Sequence, residues 1–468
     1  MKIALLHYHL KTGGVTTVIQ RQVQALKGRC ETLVVTGDRA KTQLPCPVVE
    51  IPEIGYDHLS TTSLTPEAIV DRILKSILQI WPGGCDVLHI HNPILTKNRH
   101  LLKCIHLLQA WDVSLLLQIH DFAEDGRPQA YSHEAYPRDC HYGVINARDA
   151  RIMVMAGLDP AGVHLVPNAV ESLPMNADVK LNPCVAYPVR AIRRKNVGEA
   201  ILLSLFLSPD KTLHVSQPPT SARELPVYAD WQSFVKKHGL NVRFETGRLQ
   251  GFPALVAAAD SMVTTSITEG FGFSFLEPWT ADKIVWGRRL DDICMDFEKR
   301  GLNLDSLYDD LAVGLTWFDF DGFIQAWRGA VLQAGEIYGY NLESERLDYH
   351  INGLKKDGLI DFGILSEKYQ KQVLMHLLAN PDAKNGLAER NPKILEPDPN
   401  QVEPSIIENN RRIVQDNYDM GSYGHQLLKV YKQVNQCPIQ HQIDKTALLD
   451  AFLDLDRFSL LKWGPYEV

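Results

Sequence analysis

Two carboxylates, Glu269 and Glu277, stand eight positions apart, and the first is followed at once by Gly270, Phe271, Gly272 and Phe273. A helix starting near Ser274 would carry Glu277 in its first turn. The glycines would let backbone N–H groups at that start approach a bound anion or sugar with no Cβ in the way, although a Gly-x-Gly before a helix is also an ordinary tight turn. A carboxylate accepts two hydroxyl donors side by side, so this stretch suits a polyol as well as an anion. Further upstream, Arg190, Arg193, Arg194 and Lys195 put four cations into six residues. They could neutralise a phosphate that gains charge, or form a solvated basic turn.

The elements that must position these residues read as strands alternating with helices. Ile3 to Leu6, Glu31 to Val35, Val87 to His91 and Ser114 to Ile119 are short apolar runs. Between them lie the helical patterns Val15 to Leu26, Pro66 to Ile80 and Leu101 to Ala110. This alternation predicts a doubly wound parallel α/β sheet, whose ligands sit beyond the carboxyl ends of the strands. The polar groups cluster at those ends: Lys11, Thr12, Gly13 and Gly14 after the first strand, His91 and Asn92 after a middle one, His120 and Asp121 after the next. His89 and His91 alternate, which places them on one strand face with or without a metal. The loop Phe122 to Tyr131 holds Glu124, Asp125 and Arg127 and is read either as a surface turn or as a binding loop beside His120.

Val163 to Glu171 reads as a strand closed by Pro167 and Asn168, with a domain boundary just beyond. A second set of strands follows at Cys184 to Pro188, Leu213 to Ser216, Val242 to Glu245 and Val263 to Ser266. At 468 residues, two domains and an appendage are expected. Their extents are 1–172, 173–410 with a helical insertion at about 300–395, and C-terminal helices at 411–468. One amphipathic helix is expected over Lys445 to Leu461.

These segments, in this order, resemble family 4 glycosyltransferases and their Glu-x7-Glu signature. The resemblance implies a GT-B fold, in which two Rossmann-like domains face each other across a cleft and C-terminal helices cross back to the first domain. It implies a retaining transfer of a hexose from a UDP- or GDP-linked donor to an acceptor hydroxyl, without metal and without any cofactor besides the nucleotide sugar. Carried over by residue, Glu269 with Gly270, Phe271, Gly272 and Phe273 would face the donor sugar and phosphates, and Glu277 would accept the ribose hydroxyls. Ser266 would stand on the donor side, Arg190 and Lys195 would stabilise the diphosphate, and Gly13 and Gly14 would face the donor phosphates or the acceptor. His120 resembles the family's strand-terminal histidine near the reacting carbon. With Asp121 and Arg127 it would meet a small polyhydroxy or acidic acceptor. The catalytic set is then His120, Glu269, Arg190 and Lys195. The chain departs from the pattern at Ala169, Glu171, Val189 and Asn196, and beyond Trp279 the match fades.

The same fold hosts phosphorylases and sugar-nucleotide epimerases, and a non-catalytic sugar-nucleotide sensor is a reading from another class. A net charge of −8 argues against a nucleic-acid partner. The eight cysteines show no zinc spacing and are expected as buried free thiols. No apolar run is long enough to span a bilayer and the start lacks a secretory signal, so a cytoplasmic protein without stable membrane insertion is expected. Lys97 to Leu108 is basic and amphipathic, which suits a membrane face, but its leucines are also spaced to cover a sheet.

Overall fold

A computed structural model of the chain describes all residues except 39–42, 58–63, 112, 176–180, 341, 398–401 and 467–468. It divides into two compact units, Met1–Ala169 with Asp416–Leu453, and Val170–Gln415 with Asp454–Val468.

The first unit is built on seven parallel strands: β1 (Lys2–His7), β2 (Glu31–Thr36), β3 (Val48–Glu50), β4 (Val87–His91), β5 (Ser114–Ile119), β6 (His141–Val144) and β7 (Val163–Leu165). Their order across the sheet is β3-β2-β1-β4-β5-β6-β7. Both faces are covered, which is why β5 reads as an almost unbroken apolar run, SLLLQI. The helices Pro66–Ile80 and Leu101–Leu108 cover one face, and Leu101, Leu102, Ile105 and Leu108 are buried in that core. The leucines of the basic amphipathic stretch are therefore committed to the sheet. The helices Gly14–Leu26 and Met420–Gln436 cover the other face. Tyr423, Leu427, Val430, Tyr431 and Val434 recur at helical spacing and are buried there. Gly424 lets the two helices approach closely, because a Cβ at that position would lie 2.4 Å from the Ala25 carbonyl oxygen.

The second unit holds six parallel strands, β8 (Cys184–Arg190), β9 (Thr212–Gln217), β10 (Val242–Arg243), β11 (Ala259–Thr264), β12 (Ile284–Arg288) and β13 (Leu307–Tyr308), in the order β10-β9-β8-β11-β12-β13. The region 300–395, expected as helical, also carries a small antiparallel sheet of β14 (Ala312–Gly314), β15 (Lys355–Lys356) and β16 (Leu359–Asp361). The C-terminal region 411–468, expected as helices packing back on the first domain, is divided between the units, with Asp416–Leu453 in the first and Asp454–Val468 in the second. Lys445–Phe452 and Leu460–Trp463 are separate helices where one was expected. The second of them is drawn into the second unit by polar contacts. Trp327 Nε1 donates to the Phe458 carbonyl (3.1 Å), and Arg193 donates to the carbonyls of Gly464 (2.9 Å) and Leu460 (3.1 Å).

Of the eight cysteines, four are buried, three are half-buried and Cys437 is exposed; all are free thiols. Among the described residues no helix is long and apolar enough to cross a membrane.

Candidate active site

In the second unit β8 ends at Arg190, and one 3-10 turn, Arg193–Lys195, leads into the helix Val197–Ser204. The turn closes through Asn196, which takes a left-handed backbone conformation (φ 52°, ψ 56°). Asparagine is one of the few non-glycine residues that tolerate it. Tyr187 Oη donates to the Lys195 carbonyl. Thr265 Oγ1, at the end of β11, donates to the same carbonyl (3.1 Å) and to that of Asn196 (3.0 Å). The Ile267 amide donates to the Arg194 carbonyl (3.0 Å), so the cationic turn and the chain entering Glu269 are held as one piece.

Lys195 Nζ bonds directly to Glu269 Oε1, with both side chains largely buried. Burial alone would raise the Glu269 carboxyl. Lys195 outweighs it, helped by Arg194 and by the influence of Ser266, and holds the group below its ordinary value. Burial lowers Lys195, Glu269 pulls it back up, and Arg194 and Arg190 lower it further. Four of the expected residues, Arg190, Lys195, Ser266 and Glu269, therefore act on one another. Arg190 is exposed, its guanidinium 3.4 Å from Thr220 Oγ1.

The glycine run behaves differently from the expectation at its end. Gly272 takes φ 91°, and a Cβ there would meet Ile293 at 2.7 Å and Phe275 at 2.9 Å, so glycine is required. Phe271 is buried and makes an edge contact with Phe273 at 4.9 Å. The helix Phe273–Leu276 is a single turn, because Pro278 has no N–H to continue it. Glu277 therefore opens a separate 3-10 turn, Glu277–Ala281, and does not ride in the first turn of the helix.

Not all four cations of the basic stretch face solvent. The Arg193 guanidinium is buried and bidentate to Glu367 (2.7 and 2.9 Å), which makes it a tie between the turn and the helix Glu367–Ala379. Gln370 of that helix donates to Asn196 Oδ1 (2.8 Å), and Asn196 donates to Glu199 (2.6 Å). Glu199 in turn receives Arg288 (2.9 and 2.8 Å) and Tyr308 (2.7 Å), and Arg288 also binds Asp361 (2.9 and 2.7 Å). Asp361, Glu367 and Gln370 come from the region 300–395 that sequence reasoning left without a role. They buttress the cationic turn from below. Nothing in the sequence signals these pairings, since the partners lie far apart along the chain.

In the first unit, Gly13 caps the helix Gly14–Leu26 in an extended conformation. A Cβ at Gly14 would meet nothing within 4 Å, and one at Gly13 only the Lys11 carbonyl oxygen at 3.8 Å. The protein's own packing thus leaves both positions open. At the end of β5, His120 is buried, and burial pushes its imidazole down to about 4. Its Nε2 lies 2.9 Å from His91 Nδ1. Asp121 is paired with Arg127 at 2.6 Å, so the arginine expected to await an acceptor already holds one carboxylate. The rest of the following loop is turned inward: Glu124 is buried and accepts from Tyr136 Oη (2.7 Å), and Asp125 meets Arg148 at 3.4 Å. His89 and His91 stack at 4.3 Å, with His89 Nδ1 2.9 Å from Tyr431 Oη. Among the described residues no group of three or more His, Cys, Asp or Glu side chains is arranged to hold a metal ion.

No protein-family model matches the chain. It is similar to mannosylglucosyl-3-phosphoglycerate synthase of Petrotoga mobilis, with 26% identity over 443 residues, 84% of each chain. Its structure resembles Anabaena HepE, solved with UDP and glucose (TM-score 0.54, 14% identity, 92% of this chain and 99% of that one). It also resembles sucrose-phosphate synthase of Thermosynechococcus elongatus (TM-score 0.52, 13% identity, 92% and 98%). A glycosyltransferase of Rickettsia africae is similar to the same degree (TM-score 0.52, 10% identity, 93% and 99%). These structural likenesses establish the fold: two Rossmann-like parallel-sheet domains with helices, as in GT-B glycosyltransferase structures.

Proposed function

We propose that the protein is a nucleotide-sugar-dependent glycosyltransferase. It moves a hexose, with retention, from a UDP- or GDP-linked donor to a hydroxyl of a small anionic acceptor. The observation that carries this reading is the buried Lys195–Glu269 pair, with Arg190 and Arg194 close enough to act on its charge. As the bond from the anomeric carbon to the diphosphate oxygen breaks, its electron pair leaves on the diphosphate. Preorganised cations stabilise a transition state at the point where such charge develops. Arg190, Arg194 and Lys195 are the groups assigned that work, which supports a mechanism without a divalent ion. Glu269, bound to Lys195, is a hydroxyl acceptor and not a nucleophile. The acceptor oxygen forms the new bond on the face the leaving group vacates, and its proton passes to the departing phosphate oxygen, so no base of the protein is consumed.

Glu277 is assigned to the ribose, and the backbone from Gly270 to Phe273 to the sugar and phosphates. In the first unit, the open positions Gly13 and Gly14 suit close approach of a ligand, and His120 is assigned to the reacting sugar. The acceptor is assigned to Asp121 and Arg127. Its anionic class is supported by the printed name of the Petrotoga relative, a synthase of a glycosylated 3-phosphoglycerate. The direct test supplies the protein with either a nucleotide sugar or the matching sugar 1-phosphate, each with a phosphorylated sugar-acid acceptor. Transfer from the nucleotide sugar is expected. Transfer from the sugar 1-phosphate alone would mean a phosphorylase, and epimerised donor without transfer an epimerase.

A further inference from the structure

Three neighbouring strands of the first sheet, β1, β4 and β5, bring histidines to their carboxyl ends: His7, His91 and His120. His91 and His120 meet edge to edge, Nδ1 to Nε2 at 2.9 Å, with their ring planes inclined by only 12°. The next residue, Asn92, is left-handed (φ 50°) and turns its Oδ1 to accept from the amides of His120 (2.8 Å) and Asp121 (3.3 Å). Two consecutive residues of β4 and its turn therefore hold both the ring and the backbone of His120. His91 is wholly buried. Burial depresses both imidazoles, so at neutral pH each is uncharged and carries one ring proton.

Which nitrogen carries that proton follows from the partners. His91 Nε2 is buried and has no hydrogen-bond partner among the described residues. A buried N–H with no acceptor is rare and costly in folded proteins, whereas an unused lone pair is somewhat better tolerated. The His91 proton is therefore on Nδ1 and is donated to His120 Nε2. Since His120 accepts at Nε2, its own proton is on Nδ1. We infer that His91 is a positioning residue that fixes His120 as the Nδ1–H tautomer, so that His120 offers a substrate oxygen a hydrogen-bond donor and not the lone pair of a base. The catalytic consequence rests on the transferase reading; the tautomer itself does not.

The test is long-range ¹H–¹⁵N correlation NMR of the full chain labelled in its histidines, at about pH 7.5 where both rings are neutral. The His120 signals are identified by their loss in His120→Gln. The expected result is a protonated Nδ1 and a bare Nε2 on His120. His91→Asn, whose side-chain amide can donate from the same place, retains that signature, and His91→Leu loses it. In a transfer assay His91→Leu lowers kcat by about 10²-fold, the size expected when one preorganised donor is misplaced, with KM for the nucleotide sugar unchanged. A His120 protonated on Nε2 in the parent, or a tautomer unmoved in His91→Leu, would overturn the inference. The expected tautomer in a protein that transfers from no nucleotide sugar would support the assignment and refute the transferase reading.

Discussion

Replacing Lys195 by Met separates the stabilising role of the Lys195–Glu269 pair from its chemistry. The substitution keeps most of the side-chain volume but leaves Glu269, whose side chain is only 10% exposed, without its main counter-charge. Breaking a buried ion pair by removing one partner costs about 3–5 kcal/mol. Arg194 and Ser266 still act on Glu269, so the lower figure, about 3 kcal/mol, is the expected one. For a unit of this size that corresponds to a fall of about 6–12 °C in the melting transition. The pH dependence gives a sharper signature. In the parent, Glu269 sits below its ordinary value near 4.5. It therefore contributes stability that is present above that pH and is lost as pH falls through the lowered value. In Lys195→Met burial dominates and the carboxyl moves above its ordinary value. Holding it ionised then costs more as pH rises, and the gap to the parent widens from about pH 5 toward pH 7 by at most about 1.4 kcal/mol per unit, consistent with a total of about 3 kcal/mol. Adding Glu269→Gln removes the stranded charge, and the double variant should recover most of the lost stability while remaining inactive. Differential scanning fluorimetry across that pH range is the assay. A Lys195→Met protein as stable as the parent, or a gap that narrows with rising pH, would refute the reasoning.

Three further outcomes are expected. Glu277→Ala should weaken nucleotide binding by about 1.5–3 kcal/mol, the worth of hydrogen bonds to an ionised acceptor, and titration calorimetry showing unaltered nucleotide affinity would remove Glu277 from the ribose. Transfer should proceed in excess EDTA at the untreated rate, because Arg190, Arg194 and Lys195 supply the charge; activity abolished by the chelator and restored by magnesium or manganese would contradict that. Arg127→Ala should raise KM for an anionic acceptor and leave KM for the nucleotide sugar alone, so an unaltered acceptor KM in steady-state kinetics would exclude Arg127 from the acceptor site.

Much of the fold was legible because parallel strands covered on both faces must be apolar along their length. Leu115 to Leu117 and Ile3 to Leu6 announce themselves in this way, and the helix Pro66–Ile80 is bounded by Pro66 at its start. Strand β6, His141–Val144, was missed because HYGV carries a histidine and a glycine where a run was sought. There His141 is satisfied by His164 (2.8 Å) and the Cys437 carbonyl (2.8 Å). Strand β12 was missed for a similar reason. Its Gly287 has φ 115° and passes so close to β11 that a Cβ would lie 2.1 Å from the Thr264 carbonyl oxygen. At the candidate site, residue types and spacing drew attention to the basic stretch and to Glu269, and the family resemblance picked out Lys195 within that stretch; the structure brings Lys195 and Glu269 into contact. Sequence marked Asn196 as a departure from the expected glycine, but could not reveal that Gln370 holds it there, or that Arg193 is a structural tie to Glu367. Both depend on side chains more than 170 positions away, Glu367 and Gln370. Local patterns report what a segment must bury, not which distant group satisfies it.

The central claim, hexose transfer with retention at the Lys195–Glu269 site, is tested most directly by following a donor labelled with ¹³C at the anomeric carbon by NMR. The spectra are taken with and without a phosphorylated sugar-acid acceptor, in the parent and in Lys195→Gln. The account predicts one new anomeric signal of the same configuration as the donor. That signal forms only with acceptor present, is accompanied by free nucleoside diphosphate, and is lost in the variant. A product of inverted configuration, sugar released to water whether or not acceptor is present, or undiminished transfer by Lys195→Gln would contradict it.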